Sequence, residues 1–264
     1  MSLVPDPSSA ASTSLKASGS LNPIENIYRL YEALAATLPL DPVSGLGGKL
    51  LYAGEIDPQN SHLLYAANIA GAASLAASPD PAIQRQAIRD GVVDFLVTSL
   101  EEALRILKNE IRKHQAVSVA VSVAAETLTA QMLDRGVLPD LLNSGSSPAD
   151  LQKFLTQGAR QIADLPPVIG SFVTWSVDSN FARWLPRLDA CAEAILPPHD
   201  LVRRRWLRLA PRYLGRLAQR HHSIGLTVEE RAHFEAEAGR MLARSQSETG
   251  EAAQLKVLAQ DFLQ

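Results

Sequence analysis

The hydrophobic and polar positions of this chain fall into two alternating patterns. Short apolar runs of strand length are separated by segments of helix length, and these runs lie at residues 49–54, 72–78, 93–98, 117–123, 140–143 and 171–177. Runs that are apolar throughout are typical of strands buried on both faces. The pattern therefore predicts an α/β fold with a mostly parallel sheet covered by helices on both faces.

Helical periodicity and capping signals divide the rest of the chain. An amphipathic helix is predicted at 24–38, and beyond Asp178 the apolar runs stop and helical patterns follow at 180–196, 200–221 and 228–245. The signals for helix starts are Asp80 before Pro81, Ser99 with Glu102, Ser147 before Pro148, and Thr227 with Glu230. We predict a tail at 1–22, an α/β domain at 23–178 and a helical C-terminal region at 179–264.

Composition narrows the class of protein. Hydrophobic residues make up 46% of 264 positions, enough for a large core, and a formal charge of -3 gives no overall attraction to nucleic acid or anionic membrane. Cys191 is the only cysteine, which excludes an intramolecular disulfide and suits a cytoplasmic location. The Ser-, Ala- and Pro-rich tail is expected to be disordered rather than a secretory signal. No apolar stretch is long enough to predict a membrane span.

A series of segments between residues 45 and 150 resembles the inserted NAD-binding domain of urocanase, the hydratase of histidine breakdown. In order along the chain, the segments are GKLLYAG at 48–54, ANIAGAASLA at 67–76, RDGVVDFLVTSLEEAL at 89–104, AVSVAV at 116–121 and MLDRGVLPDLL at 132–142. The resemblance implies a Rossmann-like, doubly wound sheet with a ligand crevice at the carboxyl ends of its strands.

The cofactor contacts of that family are replaced in this chain. In urocanases a Gly-rich phosphate loop follows the first strand, whereas here EIDPQNSH follows Gly54 and the cluster GLGG at 45–48 precedes the strand. The family's acidic residue after the second strand falls on Ser78, and its nearby arginine falls on Ile83. Since a dinucleotide loop needs glycines at a helix N-terminus, we predict no cofactor. NAD is the alternative, and these changes disfavour it.

The resemblance covers a scaffold and not an active site. The catalytic domain of urocanase, with its cysteine and aspartate, has no counterpart here, and Cys191 lies in an apolar helical pattern typical of a core residue. We predict a non-catalytic ligand-binding or oligomerising module. The alternatives are an enzyme, related to hydratases by resemblance only, or an NAD- or nucleotide-binding protein with a remodelled site at the strand ends.

Polar residues expected at the carboxyl ends of the strands are the candidate ligand-binding residues. They are Glu55, Asp57, Asn60 and His62 after the first strand, Asp80 after the second, Ser122 after the fourth, and Asn143, Ser144 and Ser146 after the fifth. They would suit a small polar or cationic ligand, or a metal held by Glu55, Asp57 and His62. An ordinary polar turn and helix cap is the favoured alternative, and no metal is predicted.

The histidines near the end of the chain are a second possible metal set. They are His221, His222 and His233. No carboxylate is obviously placed with them, so we interpret them as surface residues or as partners of a helix C-terminus.

An arginine-rich segment at 201–222 is the most unusual local feature. Seven arginines between positions 203 and 220 flank an apolar stripe. Its candidate partner-binding residues are Arg204, Arg205, Trp206, Arg208, Arg212, Tyr213 and Arg216. They could bind phosphate groups of nucleic acid or lipid, or dock the helix on the α/β body or a second subunit, with arginines meeting Glu55 and Asp57. The net negative charge favours docking and a homodimer, and disfavours nucleic acid.

Overall fold

The computed structural model describes residues 22–143, 148–165, 170–177, 179–249 and 255–261. The helices are α1 (Pro23–Thr37), α2 (Pro58–Ala70), α3 (Pro81–Asp90), α4 (Leu100–Arg112), α5 (Ala125–Asp134), α6 (Pro148–Thr156), α7 (Leu185–Ile195), α8 (Leu201–Leu214) and α9 (Val228–Thr249). The strands are β1 (Leu50–Glu55), β2 (Ala73–Ala77), β3 (Phe95–Val97), β4 (Val117–Val121), β5 (Leu141–Leu142), β6 (Arg160–Gln161), β7 (Ser171–Val177), β8 (His221–Leu226) and β9 (Leu255–Asp261). Two 3-10 turns, Ser179–Trp184 and Gly215–Ala218, flank α7 and α8.

Six parallel strands form the main sheet in the order β3-β4-β2-β1-β5-β6. Five of the predicted apolar runs are its first five strands, whereas β6 was not predicted. The predicted Rossmann-like α/β fold is therefore confirmed. The predicted tail lies outside the described residues except for Asn22, whose side chain accepts a hydrogen bond from the backbone of α1.

The two faces of this sheet pack against different helices. Leu51 and Ala53 join one core with α2 and α3, whereas Leu50 and Tyr52 join a second core with α4, α5 and α6. The helices that follow β1 and β2 thus cover one face, and those that follow β3, β4 and β5 cover the other. The helices that follow neighbouring strands change faces between β4 and β2 and again between β1 and β5, which makes these two places topological switch points. Ligands of doubly wound sheets bind at the carboxyl side of such switch points.

A second sheet lies in the C-terminal part of the chain. Its order is β8-β7-β9, and both pairings are antiparallel. The run 171–177 is therefore a strand, as predicted, but it does not belong to the main sheet. The expectation that no strand follows Asp178 was also wrong. Strand β8 lies between α8 and α9, and β9 follows α9.

The hydrophobic core is continuous between the main sheet and the second sheet. Phe172 and Trp175 of β7 belong to the same buried cluster as Tyr28 of α1 and Trp206 of α8. The rings of Tyr28 and Trp206 meet edge to face, with centroids 4.9 Å apart. The main sheet and the second sheet consequently share one apolar interior through α1, α2 and α8.

Local capping signals were predicted correctly wherever the structure describes them. Asp80 accepts a hydrogen bond from the Ala82 amide at 2.6 Å, and Thr227 and Glu230 form a reciprocal capping box at 3.2 and 2.9 Å. Ser99 accepts from the Glu102 amide at 3.3 Å. The predicted cap Ser147 lies outside the described residues. Among the described helices, none combines the length and apolar character that a membrane crossing requires.

Candidate functional site

The N-terminus of α2, directly after β1, is where this fold would hold a phosphate. Asp57 is the cap of α2, and its Oδ1 accepts a hydrogen bond from the Asn60 amide at 2.7 Å. Pro58 has no N–H, and the Ile56 amide donates to a carbonyl of β2 at 2.8 Å. Glu55 is exposed and adds a second carboxylate. These backbone donors are satisfied within the chain, beside negative charge that would repel phosphate.

The switch point between β1 and β5 is occupied by two asparagine side chains. Nδ2 of Asn60 donates to the carbonyl of Glu55 at 2.6 Å, while Oδ1 of Asn60 accepts from Nδ2 of Asn143 at 2.5 Å. Asn143 also donates to the carbonyl of Ala53 at 3.2 Å. Four of the predicted ligand-binding residues therefore do meet, namely Glu55, Asp57, Asn60 and Asn143. They bond to one another and to the backbone in the manner of a turn and helix cap.

The other predicted residues lie apart from this cluster. Asp80 caps α3, and the amide of half-buried Ser122 donates to the carbonyl of Val97 at 2.9 Å. Ser78, where the resemblance led us to expect an acidic residue, is fully buried, and its Oγ makes no hydrogen bond to the described residues. Ser144 and Ser146 lie outside the described residues.

His62 does not join Glu55 and Asp57 as a third metal ligand. Its Nδ1 accepts a hydrogen bond from Nδ2 of Asn26 on α1, at 2.9 Å. Across the part of the chain that the structure describes, no cluster of three His, Cys, Asp or Glu side chains could hold a metal ion.

The glycine cluster at 45–48 lies at the opposite, amino edge of the sheet. Gly45 has φ +69°, and Asp41 and Gly45 exchange two backbone hydrogen bonds at 2.8 and 2.9 Å. A side chain on Gly45 would come within 2.1 Å of the Ala70 carbonyl and 2.5 Å of the Arg205 guanidinium carbon. These glycines therefore let a turn approach α8, and they do not cradle a phosphate.

The match to a known family begins within α2. Residues 60–159 match the urocanase Rossmann-like domain. The resemblance inferred from the sequence is thereby confirmed for the part of the chain from α2 to α6. The matched range starts at Asn60, directly after the EIDPQ segment at 55–59.

A groove of about 610 Å³ lies beside the carboxyl edge of the urocanase-like domain. It runs between α2 and α3 and is closed on one side by the start of α1 and the turn after α8. Most of its lining is apolar, including Ile56, Tyr65, Ile83, Val92, Leu214 and Leu217. Its polar lining residues are Asp57, Ser61, His62, Gln86, Arg89, Asp90 and Arg216. Two of the predicted ligand-binding residues, Asp57 and His62, and the predicted partner-binding residue Arg216 thus line a space large enough for a small molecule.

The polar side chains of this groove are held in place by neighbours. The Tyr65 hydroxyl donates to the Asp90 carbonyl at 2.7 Å, and Gln86 donates to the Asp90 carboxylate at 2.7 Å. Burial lowers the pKa of His62. Because Nδ1 of His62 accepts from Asn26, its Nε2 carries the proton and is the donor that a ligand would meet. The groove therefore combines an apolar body with a neutral imidazole at one end.

The arginine-rich helix α8 is largely engaged within the chain. Arg203 binds Glu230 through two hydrogen bonds of 2.6 and 2.9 Å and Asp200 at 2.6 Å. Arg204 donates to the Glu193 carboxylate at 3.1 Å and to three backbone carbonyls at the end of α7. Arg203 and Arg204 therefore pair with acids of the C-terminal part of the chain and not with Glu55 and Asp57. Trp206 is buried against Tyr28 and Tyr31 of α1. This side of α8 therefore docks on the body of its own chain and not on a second subunit.

Arg205 is the most deeply buried of these arginines. Its Nε donates to the Ile69 carbonyl at 2.8 Å and its Nη1 to the Val43 carbonyl at 3.1 Å, so it joins the end of α2 to the glycine-containing turn. Burial lowers the pKa of Arg205, but a guanidinium stays charged. Of the predicted partner-binding residues, Arg208, Arg212 and Arg216 are exposed and Tyr213 is half-buried.

The sequence-based interpretation of His222 as a surface or helix-end residue was wrong. His222 lies in β8, and its Nδ1 is 2.7 Å from a carboxylate oxygen of Asp189 on α7. Trp175 donates to the same carboxylate at 3.1 Å. Sequence reasoning missed Asp189 because it is 33 residues away from His222 along the chain. The adjoining cavity of about 10 Å³ has no room for a substrate, so the pair joins α7 to the second sheet.

Cys191 lies in α7, with its sulfur 3.8 Å from that of Met241. Burial raises the pKa of its thiol. This environment fits the predicted core role, because a nucleophilic cysteine needs a lowered pKa.

Proposed function

We propose that this urocanase-like chain is a non-catalytic ligand-binding module that has lost the dinucleotide site of its fold. The main observation behind the proposal is that side chains of this chain already occupy the N-terminus of α2 and the switch point beside it. Asp57 caps the helix, Pro58 supplies no donor, and Asn60 and Asn143 fill the adjacent switch point. A pyrophosphate would have to displace these contacts and overcome the charges of Glu55 and Asp57.

Titration calorimetry with NAD tests the loss of the dinucleotide site. We expect no heat of binding at micromolar NAD, with an NAD-dependent dehydrogenase as the positive control. A dissociation constant in the micromolar range would contradict the proposal, because it would require donors that the chain now satisfies itself.

We further propose that the ligand of this module binds in the groove between α2 and α3. The groove has the volume of a small-molecule site and a mostly apolar lining with a few fixed polar groups. A ligand with a flat or branched apolar body would contact Tyr65, Ile83 and Leu217, and its polar end would meet His62 or Arg216. The ligand class is therefore an amphipathic small molecule, and the bound state needs no metal or dinucleotide.

The dye anilinonaphthalene sulfonate is a suitable probe, because it pairs an aromatic body with an anionic group. The native protein is expected to bind the dye at one site with enhanced fluorescence. Leu217→Glu places a charge in the groove and should abolish this signal. Leu138→Glu changes an exposed leucine outside the groove, 40% exposed, and should preserve it. Equal dye binding by both variants would rule out the groove as the site.

Self-association and a cytoplasmic location are the remaining parts of the proposal. A second copy would contact the arginine-rich segment near exposed Arg216, in the turn that follows α8, since Trp206 is used inside the chain. Light scattering should give twice the mass of one chain, 28.5 kDa, and the mass of a single chain would contradict the dimer. The single cysteine supports a reducing compartment.

A further inference from the structure

A second groove lies at the amino edge of the main sheet, on the side opposite the proposed ligand groove. It is about 280 Å³ in volume and separates α8 from the turn between α4 and β4. The residues around it come from three loops that precede parallel strands, at 43–44 before β1, at Gly71 before β2 and at 113–116 before β4. Amino ends of neighbouring parallel strands lie together, so these loops form one surface.

The charges that line this second groove are all positive. Its cationic lining residues are Lys113, Arg205, Arg208 and Arg212, joined by His114, and no Asp or Glu lines it. Two acids lie near its rim. Glu110 pairs with the lining residue Lys113 at 2.8 Å, whereas Asp41 accepts hydrogen bonds from the turn at Val43 and Ser44 and is close enough to interact electrostatically with Arg205. The groove therefore concentrates positive charge on a chain whose formal net charge is -3.

Two of these cations have no anionic partner within the described residues. Arg208 and Arg212 are four positions apart on α8, so they project from the same side of the helix on successive turns. Both are exposed, and neither forms an ion pair in the part of the chain that the structure describes. The guanidinium of Arg212 lies 5.6 Å from the centre of the Tyr213 ring. By contrast, Arg203 and Arg204 on the same helix are fully engaged.

The floor of the groove is rigid. Arg205 is 8% exposed, and its Nε and Nη1 are held by two backbone carbonyls. Its Nη2 makes no hydrogen bond to the described residues. The guanidinium is therefore positioned before any ligand arrives, which removes an entropic cost of binding.

The opposite wall includes a residue in a left-handed backbone conformation. His114 has φ +57° and is the only described residue other than glycine with a positive φ. Glycine would adopt this conformation at lower cost, yet the imidazole Nδ1 is held 3.0 Å from the Gly47 carbonyl. The conformation ends α4 in a Schellman motif, in which the amide of His114 donates to the Ile111 carbonyl and the amide of Gln115 donates to the Glu110 carbonyl, both at 3.0 Å. Because Nδ1 contacts the Gly47 carbonyl, Nε2 is the ring nitrogen of His114 that remains for a ligand.

We infer that this basic groove binds a small phosphate monoester, held by Arg208, Arg212 and the floor arginine Arg205. A phosphate accepts hydrogen bonds from several guanidinium groups at once, and these planar groups match it better than ammonium groups do. The volume of about 280 Å³ fits a small molecule. Leu209 and Tyr213 offer the apolar contact that an organic group beyond the phosphate would use.

The test is calorimetric titration of the full chain with glycerol phosphate and with inorganic phosphate at physiological salt. The native protein should bind one glycerol phosphate per chain with a dissociation constant below about 1 mM. The double variant Arg208→Gln with Arg212→Gln should weaken binding about tenfold or more, because it removes charge-assisted hydrogen bonds. Arg85→Gln, an exposed arginine on α3, makes the same kind of charge change elsewhere and should leave the affinity unchanged.

Several outcomes would overturn the inference. With the small ligands they are the absence of glycerol phosphate binding at millimolar concentration, equal weakening by Arg85→Gln, and binding of inorganic phosphate but not of glycerol phosphate. A single-stranded oligonucleotide is the competing probe. If it binds more tightly as its length increases, the surface recognises nucleic acid and not a small phosphate monoester. Circular dichroism of each variant confirms that a change in affinity does not come from unfolding.

Discussion

Gly71 ends α2 at the point where three parts of the chain meet. It has φ +97°, and a side chain there would lie 2.3 Å from the Ser44 carbonyl and 2.6 Å from Nη2 of Arg205. Gly91 ends α3 in a similar left-handed conformation, with φ +73°, but nothing lies within 4 Å of its missing side chain. Substituting each glycine therefore distinguishes two costs. A side chain at Gly91 has only the unfavourable backbone conformation, whereas a side chain at Gly71 also collides with neighbouring atoms.

We expect Gly71→Ala to destabilise the protein more than Gly91→Ala does. The Gly91 variant should lose only the conformational part, about 1 kcal/mol. The Gly71 variant should lose at least about 2 kcal/mol more, because backbone atoms must move. Urea unfolding measures both differences. Similar losses in the two variants would show that the turn at 43–48 adapts freely and that close packing against Arg205 does not need glycine.

His62 gives a pH-dependent prediction at the same scale. Burial lowers its pKa in the folded state, so the unfolded chain takes up a proton first as the pH falls below about 6.5. Folded-state protonation would also put a proton on Nδ1, which accepts from Asn26. The free energy of unfolding should therefore decrease as the pH falls below about 6.5. At higher pH, His62 should contribute nothing to the pH dependence of stability.

The measurement is urea unfolding at about pH 7.5 and about pH 5.5. His62→Gln keeps an acceptor for Asn26 but does not titrate, so it should lose less stability between these pH values than the native protein. His233→Gln replaces an exposed histidine and should show the native loss. If His62→Gln lost as much stability between the two pH values as the native protein, the imidazole of His62 would not be the group responsible for the pH dependence.

At the scale of elements, α8 is tied to the rest of the chain by arginine contacts with backbone carbonyls. Replacing Arg205 by Met keeps the volume of its stem but leaves the Ile69 and Val43 carbonyls without their donor. We expect a loss of about 1–3 kcal/mol, since that is the cost of leaving a buried acceptor such as the Ile69 carbonyl unsatisfied. Arg208→Met on the exposed side should change stability by no more than about 0.5 kcal/mol. Equal stabilities, from thermal unfolding, would exclude Arg205 as a tether.

Short-range signals in the sequence were reliable, and long-range ones were not. Asp57 and Asp80 were foreseeable as caps because a cap needs only the next three residues. The contact of Asn60 with Asn143 spans 83 residues and has no local signature. The run 171–177 is equally apolar whether it lies in a parallel or an antiparallel sheet, so its sheet could not be assigned. The two histidines that begin β8 masked its strand pattern.

At the scale of the whole molecule, the two sheets are expected to unfold together. The predicted boundary at residue 178 would separate β7 from β8 and β9, its partners in the second sheet. The shared core also continues from α1 and α2 of the urocanase-like part into β7, β8 and α8. A unit that shares its interior with its neighbour has no independent hydrophobic core, and cooperative unfolding is then the expected behaviour.

The tryptophans make this last prediction measurable. All three, Trp175, Trp184 and Trp206, are buried and lie in the C-terminal part of the chain. Their fluorescence therefore reports on the second sheet and α8, whereas far-ultraviolet circular dichroism reports on every helix. We expect the two signals to give the same urea midpoint and the same slope. An earlier fluorescence transition would mean that the C-terminal part opens first, and that the interior shared through Tyr28 and Trp206 contributes little to holding the sheets together.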